Sequence, residues 1–451
     1  MPVATSPPSE PIAPAASLAD AATRLGVLAR VSRWGRLEAV RGASLSIGGF
    51  GAAIALGDRV CAEAASGPLF GEVVAFGPDR VTAMAEGGTA GLAPGTCVWL
   101  SPPPVLHPCA HWLGRVIDGL GRPLDGKGAL AQGGDAVPLR RPAPEAMDRR
   151  PMGARLETGI RALDVFIPLC RGQRLGLFAA SGVGKSTLLG MLERFVDAEV
   201  IVVGLIGERG REVRDFLDAI LGVEGAKRSV VVVATSDQPA LARRRTAQAT
   251  LAVAEWFRGQ GRQVLCLLDS VTRLAHAERE IGLAAGEPAT ARGYTPSVFA
   301  ALPALLERAG PGTADEGDIT GVFTVLVDGD DHDEPIADAV RGILDGHLVL
   351  DRRIGERGRW PAIDVLRSVS RALPRCHDAE QNELLGEARR LLGTYADMEE
   401  MIRLGAYRQG SDALVDAAVE RHPAFETFLS QNLDDRTPAA DAFARLTGIL
   451  R

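Results

Sequence analysis

Long apolar runs, aromatics, cysteines and excess positive charge are all scarce in this sequence, and each scarcity excludes something. No uninterrupted apolar stretch reaches the ~18 residues of a membrane span, so any membrane association is expected through partners or a short surface helix. Aromatic residues make up 5% of the chain, too few for the rows of stacked rings that hold single-stranded nucleic acid. A net charge of -7 excludes a basic surface spread over the whole protein, and no nucleic-acid partner is expected. The six cysteines, at 61, 97, 109, 170, 266 and 376, form no C-x-x-C pair and lie among apolar residues. Buried, reduced thiols in a reducing cytosol are therefore expected. The opening MPVATSPPSEPIAP has neither the basic start nor the apolar run of a signal peptide, which also points to the cytoplasm.

What is present is an ordinary globular composition, 46% apolar and 24% charged over 451 residues, enough for two or three domains. Its centre is Leu175 to Leu189, LGLFAASGVGKSTLL. An apolar run, a small-residue turn and a helix-compatible run give the strand, loop and helix order of a phosphate-binding loop. Backbone N–H groups of Ser181, Gly182, Val183, Gly184 and Lys185 are expected to close around phosphate oxygens, which side chains at the glycines would obstruct. The helix starting near Lys185 aims its positive dipole end at the same anion. Lys185 reaches the β- and γ-phosphates, and the hydroxyl of Ser186, followed by Thr187, holds Mg²⁺. ATP as substrate and Mg²⁺ as cofactor follow. The usual pattern has glycine where this chain has Ala179, and Ala180 adds a second methyl; tolerance is expected because the N–H donors remain.

Residues 1–25 begin with a Pro-, Ser- and Ala-rich stretch expected to be mobile. Ser17 to Val31 has an apolar face at helical spacing and is either a docking helix for a partner or the lead-in to the first domain. Residues 26–100 consist of short β-prone runs separated by glycine, the pattern of a small antiparallel barrel. Residues 101–371 hold a proline-rich linker, then Gly114 to Asp125, which looks by composition like more linker, and then the phosphate loop among near-continuous Val/Ile/Leu runs. Such runs alternating with helices indicate a mostly parallel, doubly wound sheet. Residues 372–451 have apolar positions at i, i+3, i+4 and i+7, the period of a terminal helical bundle.

In an open α/β sheet, functional residues gather at the carboxyl ends of the strands, and three candidates sit there. Glu208, after IVVGLI, could aim and activate water at the γ-phosphate. Asp269, ending QVLCLLD, is either a Mg²⁺ partner acting through water or the cap of the next helix. The acidic stretch Asp328 to Glu334 lacks the central glycine and distal glutamate of a calcium loop, and is expected to be an exposed loop.

The order of barrel, nucleotide core and helical bundle carries GERGREV (207–213), DSVTRLAHAEREIG (269–282), ADAVRGILDGHLVL (337–350), RWPAIDVLRSVSR (359–371) and GAYRQGSD (405–412). With these motifs the chain resembles a flagellum-specific ATPase of the type III protein export apparatus, a relative of the rotary ATP synthase catalytic β subunit. The resemblance implies a P-loop NTPase core of RecA-like fold, with Lys185, Glu208 and its neighbour Arg209 in catalysis and Asp269 at the metal. It implies that Trp360 stacks on adenine and that Arg371 enters the neighbouring subunit's site, as expected of a homohexamer. It further implies a stator-like regulatory protein at the N-terminal segment, a central coiled-coil stalk protein at Asp330 to Pro335, export gate membrane proteins and chaperone–substrate complexes. A virulence-type secretion ATPase shares all this chemistry; a rotary synthase subunit, a ring-shaped RNA translocase or a scaffold without turnover are further alternatives.

Overall fold

A computed structural model describes residues 34–50, 54–64, 67–327 and 334–451. The candidate docking helix Ser17 to Val31, and the acidic loop apart from Glu334 and Pro335, lie outside the described residues. The chain divides into two compact units, Met1–Ala83 with Thr89–Pro102, and Met84–Gly88 with Pro103–Arg451.

The first unit carries the expected barrel. Six strands, β1 (Trp34–Arg41), β2 (Ser44–Gly48), β3 (Arg59–Ala64), β4 (Gly67–Phe76), β5 (Arg80–Ala85) and β6 (Cys97–Ser101), close in the order β1-β2-β5-β4-β3-β6. Alternate residues point inward, as the two-residue period of a strand requires, so that Leu37, Leu45, Ile47, Val60, Val81 and Val98 are all buried.

The second unit is built on a nine-stranded sheet. Its main path uses β7 (Arg115–Ile117), β8 (Arg174–Ala179), β9 (Val200–Glu208), β10 (Ser229–Thr235), β11 (Val264–Asp269), β12 (Asp318–Leu326), β13 (Gly346–Leu350) and β14 (Val369–Ser370), ordered β14-β13-β8-β12-β11-β9-β10-β7. Neighbours from β13 to β7 run parallel, and β14 is antiparallel to β13. Successive side chains in these strands enter two different cores. Leu177, Val203 and Leu267 pack on one face with α1 (Lys185–Phe195), whereas Phe178, Val202 and Leu268 pack on the other with α2 (Ala240–Gly259) and α3 (Val271–Ala284). Burial on both faces is why these strands are apolar throughout instead of alternating.

The Gly114 to Asp125 stretch is not merely linker: its residues 115–117 form the edge strand β7, parallel to β10. Arg115 clamps Asp125 through two hydrogen bonds of 2.7 and 3.0 Å. Burial works against the Asp125 charge, yet Arg115 and the Lys127 and Val116 amides hold its pKa well below the usual carboxylate range. A three-residue strand whose partner lies over a hundred residues away leaves no periodic trace. The cysteine expectation also needs correction. All six are free, but only Cys61, Cys170 and Cys266 are buried, and Cys97 is exposed.

Three terminal helices, α4 (Ala379–Arg403), α5 (Ala413–Leu429) and α6 (Ala439–Leu450), share the α1-side core through Leu385, Phe425, Phe428 and Leu446. Buried Arg161 ties them down, donating to Phe428 O at 2.7 Å and to Asp435 and Thr437 at 2.9 Å. On the opposite face, Arg308 and Glu255 form a fully buried bidentate pair at 2.8 and 2.9 Å, and Arg308 also donates to Leu139 O. Removing one member of such a pair strands the other charge, at about 3–5 kcal/mol. Arg308→Met should therefore clearly lower the midpoint of chemical denaturation; an unchanged midpoint would contradict the pair's structural role.

Candidate functional site

β8 ends at Ala179, and Lys185 opens α1. Between them the loop turns through Gly182 and Gly184 at φ 81° and 83°, the left-handed region that glycine enters without penalty. Ala179 and Ala180 are buried and belong to the α1-side core, so their methyls fill packing space beneath the loop. Ser181, Gly182 and Ser186 are exposed, Val183 is buried, and Gly184, Lys185 and Thr187 are partly buried.

Two strand ends bring charge to this loop. Lys185 Nζ lies 2.5 Å from Asp269 Oδ1 and 3.6 Å from Glu208 Oε1. Asp269 Oδ1 also accepts a 2.6 Å hydrogen bond from Thr324 Oγ1. Burial disfavours the Lys185 charge, but the Asp269 and Glu208 carboxylates more than offset this and raise its pKa. The helix after β11 is capped by Ser270, whose hydroxyl accepts from Arg273 N, so Asp269 is left to face the lysine.

Glu208 Oε1 is buried with no hydrogen-bond partner among the described residues. Burial raises the Glu208 pKa from 4.5 to about 7; Lys185 opposes this, while Asp269 and a hydrogen bond shared with Glu212 reinforce it. A carboxyl still protonated near neutrality cannot accept a proton from water. In the free enzyme, kcat/KM for ATP should therefore fall as pH drops from about 8 to about 6. A flat profile over that range would remove Glu208 as the base. Arg209 is not drawn into this cluster: its side chain is 80% exposed and pairs with Glu212 at 3.6 Å.

Trp360, 43% exposed, reaches the loop from the segment after β13. A Cβ built on Gly184 would lie 2.9 Å from its Cζ3, and one on Gly355 would lie 2.9 Å from its Cη2. The half-exposed indole thus rests against the loop glycine, where its ring could take a stacked base. Nucleotide arrival should change its fluorescence, and Trp360→Phe should abolish the change. Loss of a stack worth about 0.5–1.5 kcal/mol should weaken ATP binding in Trp360→Ala by roughly 2- to 10-fold. A fluorescence signal unaltered at saturating nucleotide would contradict the contact.

Arg371 lies elsewhere. It is exposed, and its guanidinium has no hydrogen bond or ion pair among the described residues. Its backbone N donates to Asp345 O at 3.0 Å, and the Asp345 carboxylate accepts from Arg174 N at the start of β8. The phosphate loop leaves the other end of β8, five residues on, roughly 17 Å away at about 3.3 Å per residue. Lys185, Glu208 and Asp269 thus converge at one end of the sheet, and Arg371 stands at the other.

Three site residues were not singled out from the sequence. Thr324 is a polar residue inside the apolar run GVFTVLVDG, a signal that was available. Glu212 is part of the GERGREV motif. Arg352, which approaches Ser181 O at 3.4 Å, carries no such signal.

The sequence profile of the ATP synthase alpha/beta family, nucleotide-binding domain, matches residues 159–370, and that of the T3SS EscN ATPase C-terminal domain matches residues 377–448. A flagellum-specific ATP synthase of Caulobacter vibrioides is 52% identical over 93% of this chain and 96% of its own length. A type 3 secretion system ATPase of Xanthomonas euvesicatoria is 45% identical over 94% and 96%. The assembled ATPase EscN of the enteropathogenic E. coli type III secretion system superposes with a TM-score of 0.86 at 37% identity, covering 92% of this chain and all of that one. The chain belongs to the family of flagellum-specific and type III secretion ATPases, ATP-hydrolysing enzymes built on the ATP synthase α/β nucleotide-binding domain.

Proposed function

We propose that this ATPase works as a homohexameric ring with ATP at its subunit interfaces, serving flagellar type III protein export at the cytoplasmic side of the inner membrane. The observation that carries this reading is Arg371, without a side-chain partner among the described residues and at the wrong end of the sheet for its own phosphate loop. One protomer supplies Lys185 for the phosphates, Glu208 to orient and deprotonate water, and the amides of residues 181–185 to cradle the anion. The next protomer supplies the guanidinium that stabilises charge on the transferring phosphoryl group. Trp360 holds the adenine. Arg209, through its ion pair with Glu212, limits the freedom of the carboxyl that shares a proton with Glu208.

The donors beside the loop suit a hard divalent cation: the exposed Ser186 hydroxyl and the Asp269 and Glu208 carboxylates, with Glu208 Oε1 lacking a hydrogen-bond partner among the described residues. Mg²⁺ held by Ser186, and by Asp269 through water, would neutralise charge on the phosphates.

Flagellar export is favoured because the Caulobacter relative at 52% identity is named flagellum-specific. A virulence-type secretion role is the second reading, supported by the Xanthomonas relative. In either case the work is release of export substrates from chaperones, unfolding and delivery to membrane export gate proteins. EscN has been solved with its central stalk EscO, which supports a coiled-coil stalk partner for the loop Asp330 to Pro335. A stator-like regulator would take the N-terminal segment. Turnover per chain measured against protein concentration tests the ring: it should rise as rings assemble, and concentration-independent turnover by a monomer would overturn the proposal.

A further inference from the structure

β12 lies between β8 and β11 in the sheet, so its residues adjoin both the strand that feeds the phosphate loop and the strand that ends in Asp269. Leu267 of β11 stands opposite Val322, Leu268 opposite Phe323, and Leu177 of β8 opposite Thr324. Leu177, Leu267 and Val322 belong to the α1-side core, whereas Leu268 and Phe323 belong to the other. The two-residue period of a strand then returns both Thr324 and Asp269 to the α1 face, and Lys185 opens α1. Thr324 is fully buried there, where a hydroxyl is costly unless it is hydrogen-bonded.

Its Oγ1 donates to Asp269 Oδ1 at 2.6 Å, and Lys185 Nζ donates to the same oxygen at 2.5 Å. Both donors converge on Oδ1, and Oδ2 makes no hydrogen bond among the described residues. The terminal torsion of a carboxylate is broad when nothing holds it; two donors on one oxygen fix it. A second hydroxyl closes the frame around this pair. Leu326 N donates to Thr272 Oγ1 at 2.9 Å, and Thr272 Oγ1 donates to Leu326 O at 3.3 Å. These bonds fasten the end of β12, two residues beyond Thr324, to the first turn of α3, which starts two residues after Asp269.

We propose that Thr324 is a positioning residue for ATP hydrolysis: its hydroxyl fixes Oδ1 of Asp269 and so presents Oδ2 to a water on the Mg²⁺ that accompanies the nucleotide. The proposal rests on the reading of Asp269 as a metal partner through water. Thr324 itself, buried beneath the site, acts through Asp269 alone. Removing a group that orients a metal-side carboxylate costs about 10- to 100-fold in metal affinity or activity.

Thr324→Val keeps the shape of the side chain and deletes the donor, whereas Thr324→Ser keeps the donor and deletes a methyl. ADP binding to the full-length protein is measured by calorimetry over a series of Mg²⁺ concentrations and again in EDTA. Thr324→Val should raise the Mg²⁺ concentration that half-saturates the effect on ADP affinity by about 10- to 100-fold. Its ADP affinity in EDTA should stay at the wild-type value, and Thr324→Ser should behave as the wild type throughout. If Thr324→Val does not fold, Thr324→Ala, which also lacks the donor, takes its place in the same comparison. Wild-type Mg²⁺ dependence without the hydroxyl would make Thr324 a core residue and overturn the proposal. Equal loss of ADP affinity with and without Mg²⁺, or a Thr324→Ser protein as impaired as Thr324→Val, would assign it to packing and overturn the proposal as well. Asp269→Asn separates the two levels. An unshifted Mg²⁺ dependence in that variant overturns the reading of Asp269 itself; a shift there with none in Thr324→Val overturns only the role of Thr324.

Discussion

A Glu208→Gln protein is expected to bind ATP about as well as the wild type and to lose on the order of 10²–10⁴ in turnover, the usual contribution of a positioned general base. The amide keeps the shape of the side chain at the end of β9 but cannot accept a proton from water. Binding should survive because the phosphate contacts come from the loop amides and from Lys185, which keeps its 2.5 Å partner Asp269. Removing the carboxylate 3.6 Å from Lys185 takes away repulsion towards the γ-phosphate, so affinity should hold or rise. Equilibrium nucleotide binding and steady-state hydrolysis on the same preparation make the check. Wild-type turnover in this variant would remove Glu208 from the mechanism, and loss of binding alone would make it a structural residue.

Arg371→Ala should cost more, about 10³–10⁵ in turnover, the range over which an inserted guanidinium stabilises phosphoryl transfer. Nucleotide binding to an isolated protomer should be unaffected, because Arg371 stands at the opposite end of β8 from its own loop. Folding should also be unaffected: the side chain is exposed and without a partner among the described residues, and only its backbone N is used, towards Asp345 O. An inactive ring that still assembles and binds ATP is the expected phenotype. Near-normal hydrolysis by such a ring would reduce Arg371 to a surface residue.

How far the sequence disclosed this architecture depends on how local each signal is. The six barrel strands were legible because glycine separates short runs of fixed period, and the parallel sheet because burial on both faces leaves runs such as VIVVGLIG without a polar residue. The phosphate loop was legible because glycine is needed at positions 182 and 184 for the positive φ that both adopt. Contacts made over long sequence distances were not legible. Nothing local announces that residues 115–117 pair with β10 or that Thr324 bonds Asp269. Arg209 shows the limit of a motif. GERGREV brings Glu208 and Glu212 to the site together, but Arg209 projects into solvent. The two alanines show the converse, since Ala179 and Ala180 depart from the usual glycine pattern and yet lie buried under the loop.

The central claim is that the active centre is divided between protomers, and mixing two inactive proteins tests it most directly. Lys185→Ala cannot hold the phosphates, and Arg371→Ala cannot complete its neighbour's site. In a shared ring, interfaces that pair an intact Lys185 with an intact Arg371 should recover a fraction of wild-type hydrolysis that follows the mixing ratio. Recovery of that kind is the predicted result; mixed rings that form and stay inactive, beside a fully active wild-type monomer, would contradict it.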